Sequence, residues 1–176
     1  MLGALRSFFA AEGYLEVETP ALIPFPGMEP HIEPFEVPFV PQTDVGERRD
    51  LYLHTSPEYA MKRLLADGCG PLFQISKVFR NGEISATHNP EFSLLEFYRP
   101  NADYRAIMGD LERALAAAEN ALLKGSDRAF FSKLPYQRLT VRDAVLRHAG
   151  VDLNACADAR ALRAAAGRAG VRVQGE

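Results

Sequence analysis

PLFQISKVFRNGEISATHNPEFSLLEFYRP, residues 71–100, consists of two apolar-rich runs around a polar loop. Strand side chains alternate with a period of two. In the first run Gln74, Ser76, Val78 and Arg80 therefore share one face, and Phe73, Ile75, Lys77 and Phe79 the other. In the second, Phe92, Leu94, Glu96 and Tyr98 share a face, opposite Glu91, Ser93, Leu95, Phe97 and Arg99. A guanidinium, an aromatic ring, a carboxylate and a phenol can then line one surface, a set suited to a nucleotide and an amine. The ten-residue loop Asn81–Pro90 is too long for a tight hairpin turn. It carries Glu83, His88 and Asn89, with Arg80 at its base to meet a phosphate oxygen. A single arginine at a strand end reads more simply as a surface ion-pair partner, and only the constellation favours the phosphate.

Working outward, Leu2, Leu5, Phe8 and Phe9 form a helical stripe that Gly13 stops. Tyr14–Val17 reads as a short strand, and 24–41 as a proline-punctuated extended stretch containing His31. Residues 42–50 are turn-like and Leu51–His54 is strand-like. Ser56–Leu65 reads as a helix with Ser56 as its cap and Pro57 at its first helical position. Glu58, near that helix start, is held ionised by the helix dipole and suits a substrate ammonium. Taken alone, Ser56 and Glu58 are simply good helix-start residues.

C-terminal to the hairpin, Asp103 caps a long helix with the stripe Tyr104, Ile107, Met108, Leu111, Leu115, Ala118 and Leu122, ended by Gly125. Thr140 caps a shorter helix through Ala149, with Asp143 completing a capping box and Gly150 as its stop. From Val151 the chain becomes rich in Ala and Arg, and a helix is expected over Asp158–Ala169. Its arginines read as a solvated face rather than an RNA contact.

With 176 residues, 47% hydrophobic and 24% charged, the chain can bury a real core. A net charge of -3 provides no global attraction to nucleic acid. Cys69 and Cys156 have neither metal-ligand nor redox spacing, which fits a reducing cytoplasm. No apolar run is long enough to span a membrane, and the start lacks the apolar core of a signal peptide. His31 and His54 have no second ligand at metal spacing and read as packing or hydrogen-bonding residues, so no metal site is expected.

The segment FRNGEISATHNPEFSLLEFYRP resembles motif 2 of the class II aminoacyl-tRNA synthetases, in the HNPEF form of the lysyl branch. GYLEVETPAL resembles motif 1, and LHTSPEYAMKRLL the amino-acid-binding segment between the two motifs. Within that branch, TSPEYAMKRLL, GPLFQISKVFRNGE and the ending FYRP are closer to the ligases that modify elongation factor P than to lysyl-tRNA synthetases. The resemblance covers roughly residues 1–150, a span of about one domain, with 151–176 as an Ala/Arg-rich helical tail of the same domain or an insertion.

The resemblance implies an α+β fold, an antiparallel sheet flanked by helices, incomplete because motif 3 is not in the sequence. Arg80 becomes the catalytic residue at the ATP α-phosphate. Phe92 would stack on adenine, and Asn81, Gly82, His88 and Asn89 would hold the base and triphosphate. Ser56, Pro57 and Glu58 would bind the amino acid, with Glu96 and Tyr98 reading amino groups on the same substrate. Many lysyl enzymes have Glu where Gly82 stands. The implied reaction turns lysine or a lysine isomer and ATP into an aminoacyl adenylate, then transfers the acyl group to a lysine of elongation factor P. Mg²⁺ is expected to bridge the phosphates, on carboxylates beyond this sequence. Residues 13–22 would contribute to a homodimer. Alternatives are part of a lysyl-tRNA synthetase, with tRNA as acceptor, and a half-domain that binds a nucleotide or partner without catalysis.

Overall fold

The computed structural model describes residues 1–42, 49–123, 130–131 and 133–172. The chain divides into two compact units, Met1–Leu134 and Pro135–Glu176. The division falls before Thr140, so the helix that Thr140 caps belongs with the Ala/Arg-rich tail rather than with the first 134 residues.

In the first unit, helix α1 (Leu2–Ala11) buries Leu5 and Phe9, two members of its expected stripe. Gly13, at φ 81°, ends it. The Gly13 N–H donates to Ala10 O (3.1 Å) and the Tyr14 N–H to Phe9 O (2.9 Å). This is the paired closure that a left-handed residue makes possible. Strand β1 (Leu15–Glu16) then runs parallel to β5 (Leu72–Phe79), which pairs antiparallel with β6 (Glu91–Tyr98). A second, antiparallel sheet has the order β2 (Leu22–Ile23), β4 (Arg49–Leu53), β3 (Phe35–Phe39). The proline-rich stretch thus contains a strand, since Pro38 lies in β3, an edge position where its missing N–H is tolerated. Residues 43–48 of the expected turn lie outside the described residues.

The β5–β6 register sets Gln74 opposite Glu96, Ser76 opposite Leu94 and Val78 opposite Phe92. The two faces read from the alternation are therefore the real ones. On one face Phe73 packs with Leu5, Phe9 and Tyr14 of the N-terminal segment and with Ala114 and Ala118 of helix α3 (Tyr104–Leu123), with Ile75, Leu95 and Phe97 half-buried around them. Phe9 and Phe73 stack at 4.9 Å, with Phe97 at 4.9 Å and Tyr14 at 5.1 Å from Phe9. Full burial of such a ring contributes about 1.5–3 kcal/mol.

Helix α3 starts at Asp103, whose Oδ1 accepts the Arg105 and Ala106 N–H groups at 3.0 and 3.1 Å. Its buried face differs from the expected stripe. Tyr104, Met108, Leu111 and Leu122 are exposed, while Asp110, Ala114 and Ala118 turn inward. Alanine at 114 and 118 leaves room for α1 and its phenyl rings, so the inner face of this helix is small rather than large. Gly125, read as its stop, lies outside the described residues.

Asp110 is fully buried and meets side chains from the turn after α1, from the end of β6 and from its own helix. The Tyr14 hydroxyl donates to Oδ2 (2.5 Å), Arg99 reaches both oxygens at 3.1 Å, and Arg113 reaches Oδ1 at 2.5 Å and Glu12 at 2.8 Å. Burial pushes the Asp110 carboxyl up, but the bonds from Tyr14 and Arg99 and the charges of Arg99 and Arg113 outweigh it and hold the carboxyl below its ordinary value. The same burial, then the bond to Asp110, pushes the Tyr14 hydroxyl up, keeping it a donor. A carboxyl whose pKa is lower folded than unfolded stabilises the fold above the unfolded value, about 4, and loses that contribution as pH falls through the folded value. The urea midpoint is therefore expected to drop steeply below about pH 4. Asp110→Asn should flatten that drop, and an unchanged acid limb in the variant would refute the assignment.

In the second unit, helix α4 (Val141–Ala149) has the expected Thr140 cap, whose Oγ1 accepts the Asp143 N–H at 3.1 Å. The carboxylate of Asp143 takes its bond from the Thr140 hydroxyl at 2.6 Å rather than from the backbone N–H of a full box. Gly150, at φ 67°, stops it. Helix α5 (Ala159–Arg168) is capped by Asp158. Among the described residues, no helix is long and apolar enough to cross a membrane.

Candidate active site

The face of β5–β6 opposite the aromatic core carries the candidate residues, and His54 positions what covers it. His54, 2% exposed, follows β4. Its N–H donates to Ala21 O (2.9 Å), its carbonyl accepts the Phe79 N–H (3.1 Å), and its ring Nε2 lies 2.7 Å from Lys77 O. A carbonyl only accepts, so Nε2 carries the proton. The expected hydrogen-bonding role of this histidine is the observed one, and it ties the end of one sheet to the middle of the other.

Two residues on, Ser56 Oγ accepts the Glu58 N–H at 3.1 Å at the start of helix α2 (Glu58–Ala66). The cap position is nevertheless Pro57, one residue later than expected, with the helix beginning at Glu58. Pro57 is buried and its carbonyl accepts the Met61 N–H at 3.0 Å. The Ser56 hydroxyl also donates to Glu96 Oε2 at 2.7 Å, and the Tyr98 hydroxyl donates to Glu96 Oε1. Ser56, from a segment 40 residues away, therefore forms one hydrogen-bonded group with the strand neighbours Glu96 and Tyr98. Burial first, then the bond to Glu96 and the charges of Glu96 and Glu58, push the Tyr98 hydroxyl up. It remains a neutral donor.

Glu58 joins the same electrostatic neighbourhood with its carboxylate engaged by Lys62 Nζ at 2.5 Å, an i,i+4 pair. That bond, then the Glu58 charge, raises the Lys62 pKa, with a smaller contribution from Glu96. Lys62 is the residue that the sequence reading missed. Its signal was the four-residue spacing from Glu58, which stabilises helices regardless of function.

Arg80 and Phe92 stand at the other end of the same face. The guanidinium lies 5.1 Å from the centre of the Phe92 ring, a cation–π contact. Its Nε is buried without a hydrogen-bond partner, and its one carboxylate neighbour, Glu83, is 3.9 Å away. A buried donor left unpaired is costly, and the remainder of the guanidinium, on a side chain 25% exposed, is open to an anionic oxygen from outside. The Arg80 N–H donates to Pro90 O at 2.9 Å and closes the loop neck. Asn81 pairs with Glu33, its N–H donating to Glu33 O at 2.7 Å, which fastens the far end of the proline-rich arm to the loop. Gly82 adopts φ 76°. A glutamate there would be strained, which accounts for the departure from the lysyl pattern. His88 is exposed, with Nδ1 at 2.8 Å from Ser85 Oγ and 3.1 Å from Thr87 Oγ1. Asn89 is exposed.

The structure thus brings the expected residues together as two groups, a guanidinium and ring at the loop and a serine, carboxylate and phenol beside α2. His88 is bonded within the loop, to Ser85 and Thr87. Among the described residues, no group of three or more His, Cys, Asp or Glu comes together to hold a metal.

The family description tRNA synthetases class II (D, K and N) matches residues 1–167. The chain belongs to this class II family. The class II chain is also similar to the elongation factor P--(R)-beta-lysine ligase of Salmonella typhi, at 41% identity over 169 residues, 96% of this chain and 47% of that protein. The protein of the same name from Pectobacterium atrosepticum is 42% identical over 156 residues, 87% of this chain and 48% of its own. The class II chain spans about half the length of the curated relatives it matches. Its mixed helices and antiparallel β5–β6 pair agree with the α+β fold that motif 2 implied, with β1 added in parallel at the edge.

Proposed function

We propose that this chain supplies the motif 1 and motif 2 portion of an ATP-dependent ligase that activates (R)-β-lysine or a related diamino acid and transfers it to elongation factor P. The observation that carries the reading is one sheet face with an unsatisfied guanidinium at one end and an anionic, hydrogen-bonded amine receptor at the other. The relatives' printed names supply the substrate and acceptor.

In this reading Arg80 binds the α-phosphate, and Phe92, Asn81, Gly82, His88 and Asn89 surround the nucleotide. Ser56, Pro57, Glu58, Glu96 and Tyr98 hold the diamino acid. The substrate carboxylate oxygen attacks the α-phosphorus, the bond to the β,γ-diphosphate breaks, and pyrophosphate leaves with its electron pair. Arg80 stabilises the charge that grows on the α-phosphoryl oxygens. The acceptor lysine amine then attacks the acyl carbon and AMP leaves. Mg²⁺ would neutralise phosphate charge when bound, but no described group of residues is suited to hold it, so no step here depends on it. Exposed Leu15 and Leu22 support a homodimer through residues 13–22. Two free cysteines support a reducing cytoplasm.

Binding tests this reading first. Amide shifts near Arg80 on adding ATP, and near Glu96 on adding a diamino acid, are expected, with the latter lost in Glu96→Gln. A chain that binds neither ligand overturns the assignment. Joined to the remaining length that its relatives have, the protein should add a β-lysyl mass to elongation factor P. A product on tRNA instead would favour the synthetase reading.

A further inference from the structure

Between the proline-rich arm and helix α2 lies a cavity of about 320 Å³. Ile23, Phe25, Met28 and Tyr59 give it apolar walls, and Ser56 and Pro57 connect it to the amine receptor. Two charged side chains line it, Glu29 and Arg63. Among the described residues neither makes an ion pair or a side-chain hydrogen bond. Glu58 and Glu96 differ in this respect, since Lys62 engages one and Ser56 and Tyr98 the other. Glu29 is thus the one carboxylate around the start of α2 with no protein donor. Its place depends on Gly27, because a Cβ there would sit 2.1 Å from Glu29 Oε2 and 3.5 Å from the Tyr59 ring. The arm is also fixed at both ends, by Ile23 opposite Tyr52 and by Glu33 opposite Asn81. Glu29 is therefore four residues from the anchor beside Arg80, whereas Glu96 lies at the far end of β6.

We propose that Glu29 is a specificity-determining residue that takes the ammonium group a diamino acid carries next to its reacting carboxylate, while Glu96 and Tyr98 take the distal one. This rests on the diamino-acid reading above. The apolar walls would cover the methylene chain, and a carboxylate without a protein partner has its full charge to offer an ammonium. Moving the amine by one carbon along the chain changes its reach to Glu29 without changing its reach to Glu96, so the arm would discriminate between lysine isomers.

The test is titration of the chain, followed by amide spectra, with (R)-β-lysine, lysine and 6-aminohexanoate, which lacks the amine next to the carboxylate. Glu29→Gln is expected to weaken β-lysine binding about tenfold, the scale of one charge-assisted hydrogen bond, to alter the preference between the two lysine isomers, and to leave 6-aminohexanoate unchanged. Gly27→Ala, by displacing the carboxylate, should reproduce this. The loss should persist in an Arg63→Ala background. Equal weakening of 6-aminohexanoate, or disappearance of the effect without Arg63, would show a packing or ion-pair role and overturn the proposal. An unaffected Glu29→Gln beside a Glu96→Gln that no longer binds would also overturn it while leaving the diamino-acid reading intact. No diamino acid bound by the wild-type chain, or binding indifferent to Glu96→Gln, would remove both.

Discussion

In the ligase proposed above, Arg80→Ala is expected to reduce adenylate formation by about 10²–10³-fold, the scale of losing one preorganised donor to a developing oxyanion. The basis is the side chain's resting state. Its guanidinium lies on Phe92, its Nε has no partner, and its nearest carboxylate is 3.9 Å away. Few protein contacts need to break when a phosphate arrives, so most of the interaction is available to the ligand. Calorimetric titration of the chain with ATP should show saturable binding that Arg80→Ala loses. Arg80→Lys should recover little, because an ammonium lacks the planar fork that meets two phosphate oxygens. Far-UV circular dichroism should be unchanged in both, since position 80 lies beyond the end of β5 and outside the aromatic core. Retained ATP affinity in the alanine variant would mean that the guanidinium is a loop anchor instead.

The largest stability effect is expected at Phe9. It is fully buried and touches Phe8, Tyr14, Phe73 and Phe97 at ring separations of 4.9–5.3 Å. Phe9→Ala should cost about 3–5 kcal/mol, the transfer of the ring plus the cavity it leaves. Four surrounding rings are too rigid to collapse into that space, which favours the upper part of the range. Phe9→Leu should cost about 1 kcal/mol. Denaturant unfolding followed by tyrosine fluorescence measures both, and an alanine variant within about 1 kcal/mol of wild type would show that the cluster repacks.

The two predictions fall on opposite faces of one hairpin, and that division was legible in the sequence. Strict alternation over Phe73–Arg80 and Phe92–Arg99 leaves only one way to sort the side chains, and the observed register obeys it. Caps were legible for the same local reason at Asp103 and Thr140, whereas the cap read at Ser56 falls one residue later, at Pro57. The inner face of α3 was not, because periodicity weights large apolar residues and the helix turns alanines and one aspartate inward. Arg113 is its i,i+3 neighbour on the same helix, but the aspartate is buried only because Tyr14 and Arg99 also arrive from elsewhere, and no local pattern encodes that meeting. In the candidate site, the positions of Ser56, Glu96 and Tyr98 followed from the motifs, but their mutual bonds did not. Glu29 was invisible for a different reason. The arm has no repeating period, and its relevance arises only when Gly27 lets the carboxylate fold back beside α2.

The aromatic cluster also governs when the protein can fold on a ribosome. Helix α1 is made well before its partners, and Phe9 has to wait for Phe73, Phe97 and Ala118, the last of them about a hundred residues later. At synthesis rates of roughly 5–20 residues per second, its apolar stripe stays without a partner for roughly 5–20 seconds. During that time it is a natural binding site for nascent-chain chaperones. Production of this protein should therefore be sensitive to translation speed across residues 10–118.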